Sequence, residues 1–417
     1  MNFRRSAAAL AAAVAVIGSA APAVADASAG PSPSSPALPA GLYGSNDPQY
    51  DGVWRQSLAL LAQHTVGVRP AAQAVDWLAG QQCADGSFAA FRAEPGRACD
   101  AKVMVDTNST AAAVQALAAL GGRDAVTGKA VTWLKSVQNK DGGWGYMPGG
   151  PSDTNSTSVV IGALAAVGQK PESVVKDGKS PYDALLAFAL PCSGDGAGAF
   201  AYQPDKKGKL TANADATAAA VVAALGQGMA PEAGKGKDAG GEARCEDAGK
   251  PGPDRAAANG ASYLAQAVAK DGHLTSALPG ASDQPDVGNT ADTVVALAAQ
   301  SGPAQAQKPL KWLEKNSEAW AKQSGPAAYA QLVFAARAAG ADPRHFSGVD
   351  LVERLNATGP APEAAGKDAK NAEDAKSSKD TAKSDSPFGV WWTVGVFLVA
   401  GAGIGFLLSG RKKQGQP

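Results

Sequence analysis

One unit of this chain is repeated, and no single copy can bury its own apolar surface. Residues 130–167 read AVTWLKSVQNKDGGWGYMPGGPSDTNSTSVVIGALAAV. The spacing predicts a helix ending near Gln138, a Gly-rich turn bearing Trp144 and Tyr146, and a second helix opening between Asp153 and Thr157. The plan recurs upstream at Ala74–Phe88 followed by Asp106–Leu120, and in weaker form at Gly196–Leu225 and Tyr263–Leu297. Repetition of one supersecondary unit implies an array in which neighbours cover each other's apolar faces.

From Asp51 onward, apolar residues recur at helical spacing with almost no strand-like alternation. Twelve helical segments follow, the first at 52–64 and the last three at 309–322, 327–339 and 346–357. They form six consecutive pairs. In the central pairs the first helix is small and Ala-rich, whereas the second carries a larger aromatic such as Trp77, Trp133, Tyr263 or Trp312. Small helices crowd a centre and bulky side chains seal the layers around it, so the expected fold is all-α, an α6/α6 toroid of helix-pair repeats. Links within a pair are short, while links between pairs are long and rich in Gly, Trp and Tyr. All the long links should therefore gather where the inner helices begin, the end at which a site is expected.

The flanks read differently from this body. Arg4 and Arg5, an Ala/Val-rich run and Ala23-Val24-Ala25 together predict a secretory signal peptide over 1–25, followed by a leader over 26–50. The toroid is expected over 51–357, interrupted by a low-complexity surface insertion at 226–254. An Ala/Lys/Asp-rich stalk covers 358–387, too poor in apolar residues to order itself. Residues 388–408 are long and apolar enough for one transmembrane helix. Arg411, Lys412 and Lys413 place the 409–417 tail in the cytoplasm and the body outside the cell membrane. The formal net charge of +0 gives no reason to expect a nucleic-acid partner. Four cysteines in an exported chain point to disulfides, with Cys83–Cys99 and Cys192–Cys245 the favoured pairing of three.

The first chemical constellation is Asp106-Thr107-Asn108-Ser109-Thr110, repeated as Asp153-Thr154-Asn155-Ser156-Thr157. It thins to Asn213-Ala214-Asp215-Ala216-Thr217 and Asn289-Thr290-Ala291-Asp292-Thr293. Short oxygen-bearing side chains here cap helices by accepting from orphan backbone N–H groups. Several such starts around one mouth also form a polar ring for a ligand. The candidate ligand-binding residues are Asp106, Asn108, Tyr146, Asp153, Asn155, Asn213, Asp215, Asn289 and Asp292. Calcium needs six or more oxygens, and the sequence offers only pairs.

The second constellation, Leu134-x3-Gln138-x3-Gly142-x-Trp144 with its copy Leu78-x3-Gln82-x3-Gly86-x-Phe88, resembles the QW repeat of squalene and terpenoid cyclases. Region 51–357 as a whole resembles the prenyltransferase/squalene-cyclase repeat superfamily. That resemblance implies an α/α toroid in which Gln82, Gln138, Phe88 and Trp144 staple helix ends. It does not carry activity with it. The DxDD acid of the cyclases is absent. His64, His273 and His345 lie far apart in sequence, with no cysteine at the spacing of a prenyltransferase zinc site, so no metal ligands are assigned.

The DTNSTA-type starts also resemble cobalamin carriers of the transcobalamin and intrinsic-factor type, which implies a corrinoid as ligand. The β domain that completes the carriers' site has no counterpart after Ala357. The expected function is thus a non-catalytic, membrane-tethered binding module for a corrinoid or small hydrophobic ligand, with a membrane transporter as possible partner and no cofactor of its own. The alternatives are an enzyme on isoprenoid substrates using Asp106 or Asp153 as acid, with Tyr146, Phe91, Tyr202 and Tyr329 as the available aromatics, and a purely structural surface module.

Overall fold

A computed structural model describes residues 39–236, 240–241, 244–247, 249, 251–277 and 284–364. The expected signal peptide, most of the stalk, the transmembrane segment and the tail lie outside the described residues. Among the described residues no helix is long and apolar enough to cross a membrane.

The helices are α1 (Gly52–Thr65), α2 (Ala72–Gly80), α3 (Thr107–Leu120), α4 (Asp124–Ser136), α5 (Thr154–Ala166), α6 (Pro181–Leu186), α7 (Ala214–Ala224), α8 (Pro253–Ala267), α9 (Val287–Ser301), α10 (Pro303–Asn316), α11 (Glu318–Ser324), α12 (Pro326–Ala338) and α13 (Leu351–Asn356). Helices α1, α3, α5, α7, α9 and α12 each pack on the next, and α12 packs back on α1. This closes an inner ring of six. Helices α2, α4, α6, α8, α10 and α13 each lie against two neighbouring inner helices, forming the outer layer. The α6/α6 plan expected from the repeats is the plan observed, and the inner helices are small because almost every residue in them is buried, as Ala111–Ala113 and Ala218–Ala220 illustrate.

Three of the long links are drawn into two-residue hairpins that the sequence did not announce. They pair β1 (Phe88–Ala89) with β2 (Val105–Asp106), β3 (Phe200–Ala201) with β4 (Ala212–Asn213), and β5 (Leu274–Thr275) with β6 (Pro285–Asp286). In register, Phe88 faces Asp106, Phe200 faces Asn213 and Leu274 faces Asp286. Strands this short leave no period to read. In the remaining repeat the amide of Asp153 donates to the carbonyl of Trp144 at 3.0 Å, which places that loop in the same way.

Four expectations need correction. The helix expected at 309–322 is two helices: α10 starts six residues earlier at Pro303, keeps Pro309 inside it, and ends at Asn316 before α11 begins. Proline at the first helical position is favoured, and Pro303 rather than Pro309 fills that role. The last expected helix, 346–357, is reduced to α13, because Phe346 and Val349 exchange backbone bonds in a tight turn. In the fourth copy the helix starts earlier than the Asn289 cluster suggests: Asp286 is the cap, accepting from the amide of Asn289 at 3.1 Å. Thr290, not Thr293, then matches Thr217, Thr157 and Thr110.

The fourth correction concerns the insertion. Residues 228–236 cross the far end of the ring, opposite the mouth, whereas Gly240, Gly241, Arg244, Glu246, Asp247 and Gly249 are exposed as a surface insertion would be. Met229 is fully buried and its amide donates to Gln115 Oε1 of α3 at 3.1 Å. The amides of Gly234 and Lys235 donate to the carbonyls of Ala298 and Ala299 in α9, both at 2.8 Å. Carbonyls in the last turn of a helix lack intrahelical donors, and this Gly-rich strand supplies them. Its low complexity hid one anchoring residue.

Residues flanking the expected body also pack onto it. Tyr43 is buried and its hydroxyl donates to Gln63 Oε1 at 3.0 Å, while Gly44 N donates to Thr358 O at 2.8 Å. The amide of Glu363 donates to Arg69 O at 3.0 Å, so the ring's first and last repeats are joined. Cys83–Cys99 and Cys192–Cys245 are disulfide-bonded, the favoured pairing.

Candidate functional site

The mouth is built from helix caps. Asp106, Asp153 and Asn213 each cap an inner helix, accepting from the amides of Ser109 at 2.6 Å, Ser156 at 2.7 Å and Ala216 at 2.8 Å. Four residues after each cap a buried threonine anchors the preceding loop. Thr110, Thr157, Thr217 and Thr290 accept from the amides of Phe88, Trp144, Phe200 and Leu274 at 2.9, 3.1, 2.9 and 3.0 Å. The caps are therefore real, and they position a second set of side chains.

That second set sits two residues after each cap. Asn155 and Asp215, the second residues of α5 and α7, meet across the seam between those helices at 2.8 Å. Asn108 holds the same place on α3, and Gly288 on α9. Asp292 lies one turn deeper than Gly288 and accepts from Gln331 Nε2 of α12 at 3.3 Å. Of the nine candidate residues, Asn155, Asp215 and Asp292 are thus brought to one arc of the mouth. Asn213 and Asn289 are not in it. Asn213 is spent as a cap, and Asn289 donates to Asp286 Oδ2 at 2.7 Å.

The electrostatics follow from burial without partners. Asp106 and Asp215 are buried carboxyls pushed up to about 6 by desolvation, and the charges of Asp286 and Asp153 add to the effect at Asp215. Asp153 is raised to about 6 by the same cause, although Ser156 supplies two bonds. Asp292 is held well above the usual carboxylate range by burial first and by Asp215 second. Among the described residues, Asp106 Oδ2, Asn108 Oδ1, Asn155 Oδ1, Asp215 Oδ1 and Asp292 Oδ2 are buried with no hydrogen-bond partner. Buried polar atoms are nearly always paired, and these five acceptors at the starts of the inner helices are among eleven buried side-chain atoms without a partner in the described residues.

Tyr146 stands on the rim, 43% exposed, with its hydroxyl pKa raised by burial and by Asp106. Tyr202 is its counterpart over the next seam, raised by burial, Asp153 and Asp215. Both follow the motif aromatic by two positions, Trp144 and Phe200, and that offset is the sequence signal that pairs them. Gln331 and Trp320 carry no such signal, because only the closure of the ring brings α11 and α12 to α9.

The Gln-x3-Gly-x-Trp motif is the staple the resemblance implied. Gln138 Nε2 donates to Gly142 O at 2.8 Å and to Val174 O, ahead of the next outer helix, at 3.2 Å. Gln82 does the same to Gly86 O at 3.1 Å and Val126 O at 2.8 Å. Trp144 is buried and donates to Leu134 O at 2.7 Å. The histidines are scattered, and among the described residues no group of three or more acidic, His or Cys side chains is placed to hold a metal.

Residues 54–224 match the family model of the prenyltransferase alpha-alpha toroid domain. The toroid is also similar to a crystal structure of a protein from Actinoplanes, at 17% identity, with 72% of this chain and 92% of that one covered and a TM-score of 0.46. It is similar to ent-copalyl diphosphate synthase from Streptomyces platensis at 18% identity, covering 69% of this chain and 50% of that one with a TM-score of 0.43. A type II terpene cyclase from Scytonema is similar at 15% identity, 66% and 81% coverage and a TM-score of 0.30. No curated protein sequence matches the chain.

Proposed function

We propose that this protein is an exported toroid that binds a small ligand at the mouth of its inner ring and performs no chemistry on it. The observation carrying this reading is the set of buried acceptors without partners at Asp106, Asn108, Asn155, Asp215 and Asp292. Such atoms favour a ligand whose edge presents several N–H or O–H donors, flanked by an apolar surface for Tyr146 and Tyr202. A corrinoid, with carboxamides around a flat macrocycle, has that chemistry. The apolar segment 388–408 and the expected signal peptide over 1–25 support a body held outside the membrane, where a transporter could receive the ligand. The test is titration of the detergent-solubilised full-length chain with cyanocobalamin, followed by size exclusion. Retention of corrinoid absorbance by the wild type and its loss in an Asn155→Ala/Asp215→Ala variant is expected. No retention at micromolar protein would sink the corrinoid assignment.

A second reading has one observation behind it. Asp106, Asp153 and Asp215 are buried carboxyls with pKa values of about 6, the property a general acid needs near neutral pH. On that reading the substrate is an isoprenoid and the acid is the expected Asp106, or Asp215, each of which keeps one carboxyl oxygen without a partner. The Ala-packed inner helices disfavour it, since they offer few aromatics for a carbocation. Product analysis after incubation with a prenyl diphosphate separates the two: a new hydrocarbon skeleton would favour chemistry over capture.

A further inference from the structure

The segment that crosses the far end of the ring is pinned on two sides and stands off between them. Met229 holds one side through Gln115 of α3. Gly234, Lys235 and Gly236 hold the other through the carbonyls of Ala298, Ala299 and Gln300 in α9. Residues 230–233 span the gap over the ends of α1 and α12, and among the described residues they make no hydrogen bond to either helix. Their polar contacts are local. The Glu232 amide donates to Gln227 Oε1 at 2.8 Å, and the Glu232 carboxylate pairs with Lys235. A segment that only covered the ring would settle onto these helix ends, yet a cavity of about 500 Å³ lies there.

Leu61 of α1 and Phe334 and Ala338 of α12 close the bottom of this cavity. His64 and Arg337 line it from the last turns of the same two helices. Arg337 decides its charge. A basic side chain in the last turn complements the helix dipole, which accounts for its place in the sequence but gives the guanidinium no partner. Among the described residues it forms no ion pair. Glu232, which also lines the cavity, is taken by Lys235 of its own segment. Desolvation lowers the pKa of His64, so that ring is neutral near pH 7. One uncompensated positive charge therefore stands beside an apolar bottom. The volume lies within the range of about 300–1,000 Å³ usual for small-molecule sites. A carboxylate meets a guanidinium through two parallel N–H···O bonds, a fit that neither a neutral nor a cationic head reproduces.

We propose that the cavity beneath residues 230–233, at the end of the ring opposite the mouth, binds a small organic carboxylate. Its apolar body lies over Leu61, Phe334 and Ala338, and its carboxylate pairs with Arg337. The site is separate from the mouth and does not depend on what the mouth binds. The segment over it is then the wall of a site, pinned at Met229 and at α9 so that the space between stays open.

The test uses the full-length chain in lipid nanodiscs, with empty discs as the blank, and three probes that share one apolar body: 2-naphthoate, 2-naphthamide and 2-naphthylmethylammonium. Calorimetry gives the affinities. Saturable binding of the carboxylate is expected, with the amide and the ammonium weaker by about tenfold or more. Arg337→Gln, at an exposed position, should weaken naphthoate by about tenfold or more and leave naphthamide unchanged. Ala233→Phe, also at an exposed position, should fill the space and abolish naphthoate binding. The mouth variant Asn155→Ala/Asp215→Ala should bind naphthoate as the wild type does. Absence of saturable naphthoate binding, ammonium binding as tight as carboxylate binding, or indifference to Arg337→Gln would each overturn the assignment. So would loss of naphthoate in the mouth variant with retention in Ala233→Phe, which would place the probe at the other end of the ring.

Discussion

Asn155 Nδ2 donates to Asp215 Oδ2 at 2.8 Å, so one side-chain bond ties the first turns of α5 and α7 together at the mouth. The bond only partly offsets the desolvation of Asp215, whose pKa is raised from 3.8 to about 6. The sign follows directly. Ionisation is disfavoured in the folded state, so the stabilisation is complete below about pH 4 and is lost as pH rises through about 6. A shift of about two units corresponds to about 3 kcal/mol as an upper bound. Asp215→Asn should therefore have a higher melting temperature than the wild type at pH 8 and a matching one at pH 4. Equal slopes of melting temperature against pH for both proteins would show that Asp215 is not the group responsible.

Thr157 tests the loop anchor that recurs in four repeats. Its Oγ1 accepts from the amide of buried Trp144 at 3.1 Å. Thr157→Val keeps the volume but orphans that N–H, at a cost of about 1–3 kcal/mol. Denaturant unfolding followed by tryptophan emission measures it. A loss under about 0.5 kcal/mol, typical of an unimportant surface position, would argue that the loop is held by its backbone bonds alone.

The same residues show what could be read in advance. Thr107 and Thr154 open helices where the sequence placed them, because Asp106 and Asp153 are strong caps that fix a start to one residue. The fourth copy misled for the same physical reason: Asn289-Thr290 imitates a cap, yet Asp286 lies upstream and takes the role. The arc formed by Asn155, Asp215 and Asp292 was legible as residue types but not as a group, since Asp292 joins it from a different helical position and through Gln331, a contact that exists only once α12 closes the ring. The path of residues 226–236 was not legible at all. The run GQGMAPEAGKG carries no period, and apart from the Met229 amide bond to Gln115 the segment is held by backbone bonds to α9 that depend on no side chain.

Met229 is the exception in that strand and gives the third prediction. It is fully buried against the far end of the ring. Met229→Ala should destabilise the protein by about 2–5 kcal/mol, as truncation of a core methionine does. A true surface insertion would tolerate the change within about 0.5 kcal/mol. Chemical denaturation at neutral pH decides between these values.

Gly142 and Gly149 separate the cost of backbone conformation from the cost of packing in the stapled turn. Both have positive φ, +90° and +76°, so alanine at either site meets the left-handed penalty of about 1–2 kcal/mol. Around Gly149 a Cβ meets nothing within 4 Å, whereas at Gly142 it would stand 2.2 Å from the carbonyl oxygen of Ser180, the cap of α6. That oxygen belongs to backbone and cannot swing aside, so the turn must lift away from the next outer helix and strain the Gln138 bonds to Gly142 and Val174. Gly149→Ala should lose about 1–2 kcal/mol and Gly142→Ala clearly more, measured by denaturant unfolding. The difference isolates the contact between successive outer helices. If the two variants are equally stable, the close approach of Gly142 to α6 contributes nothing, and the motif would have to be explained by something other than stapling.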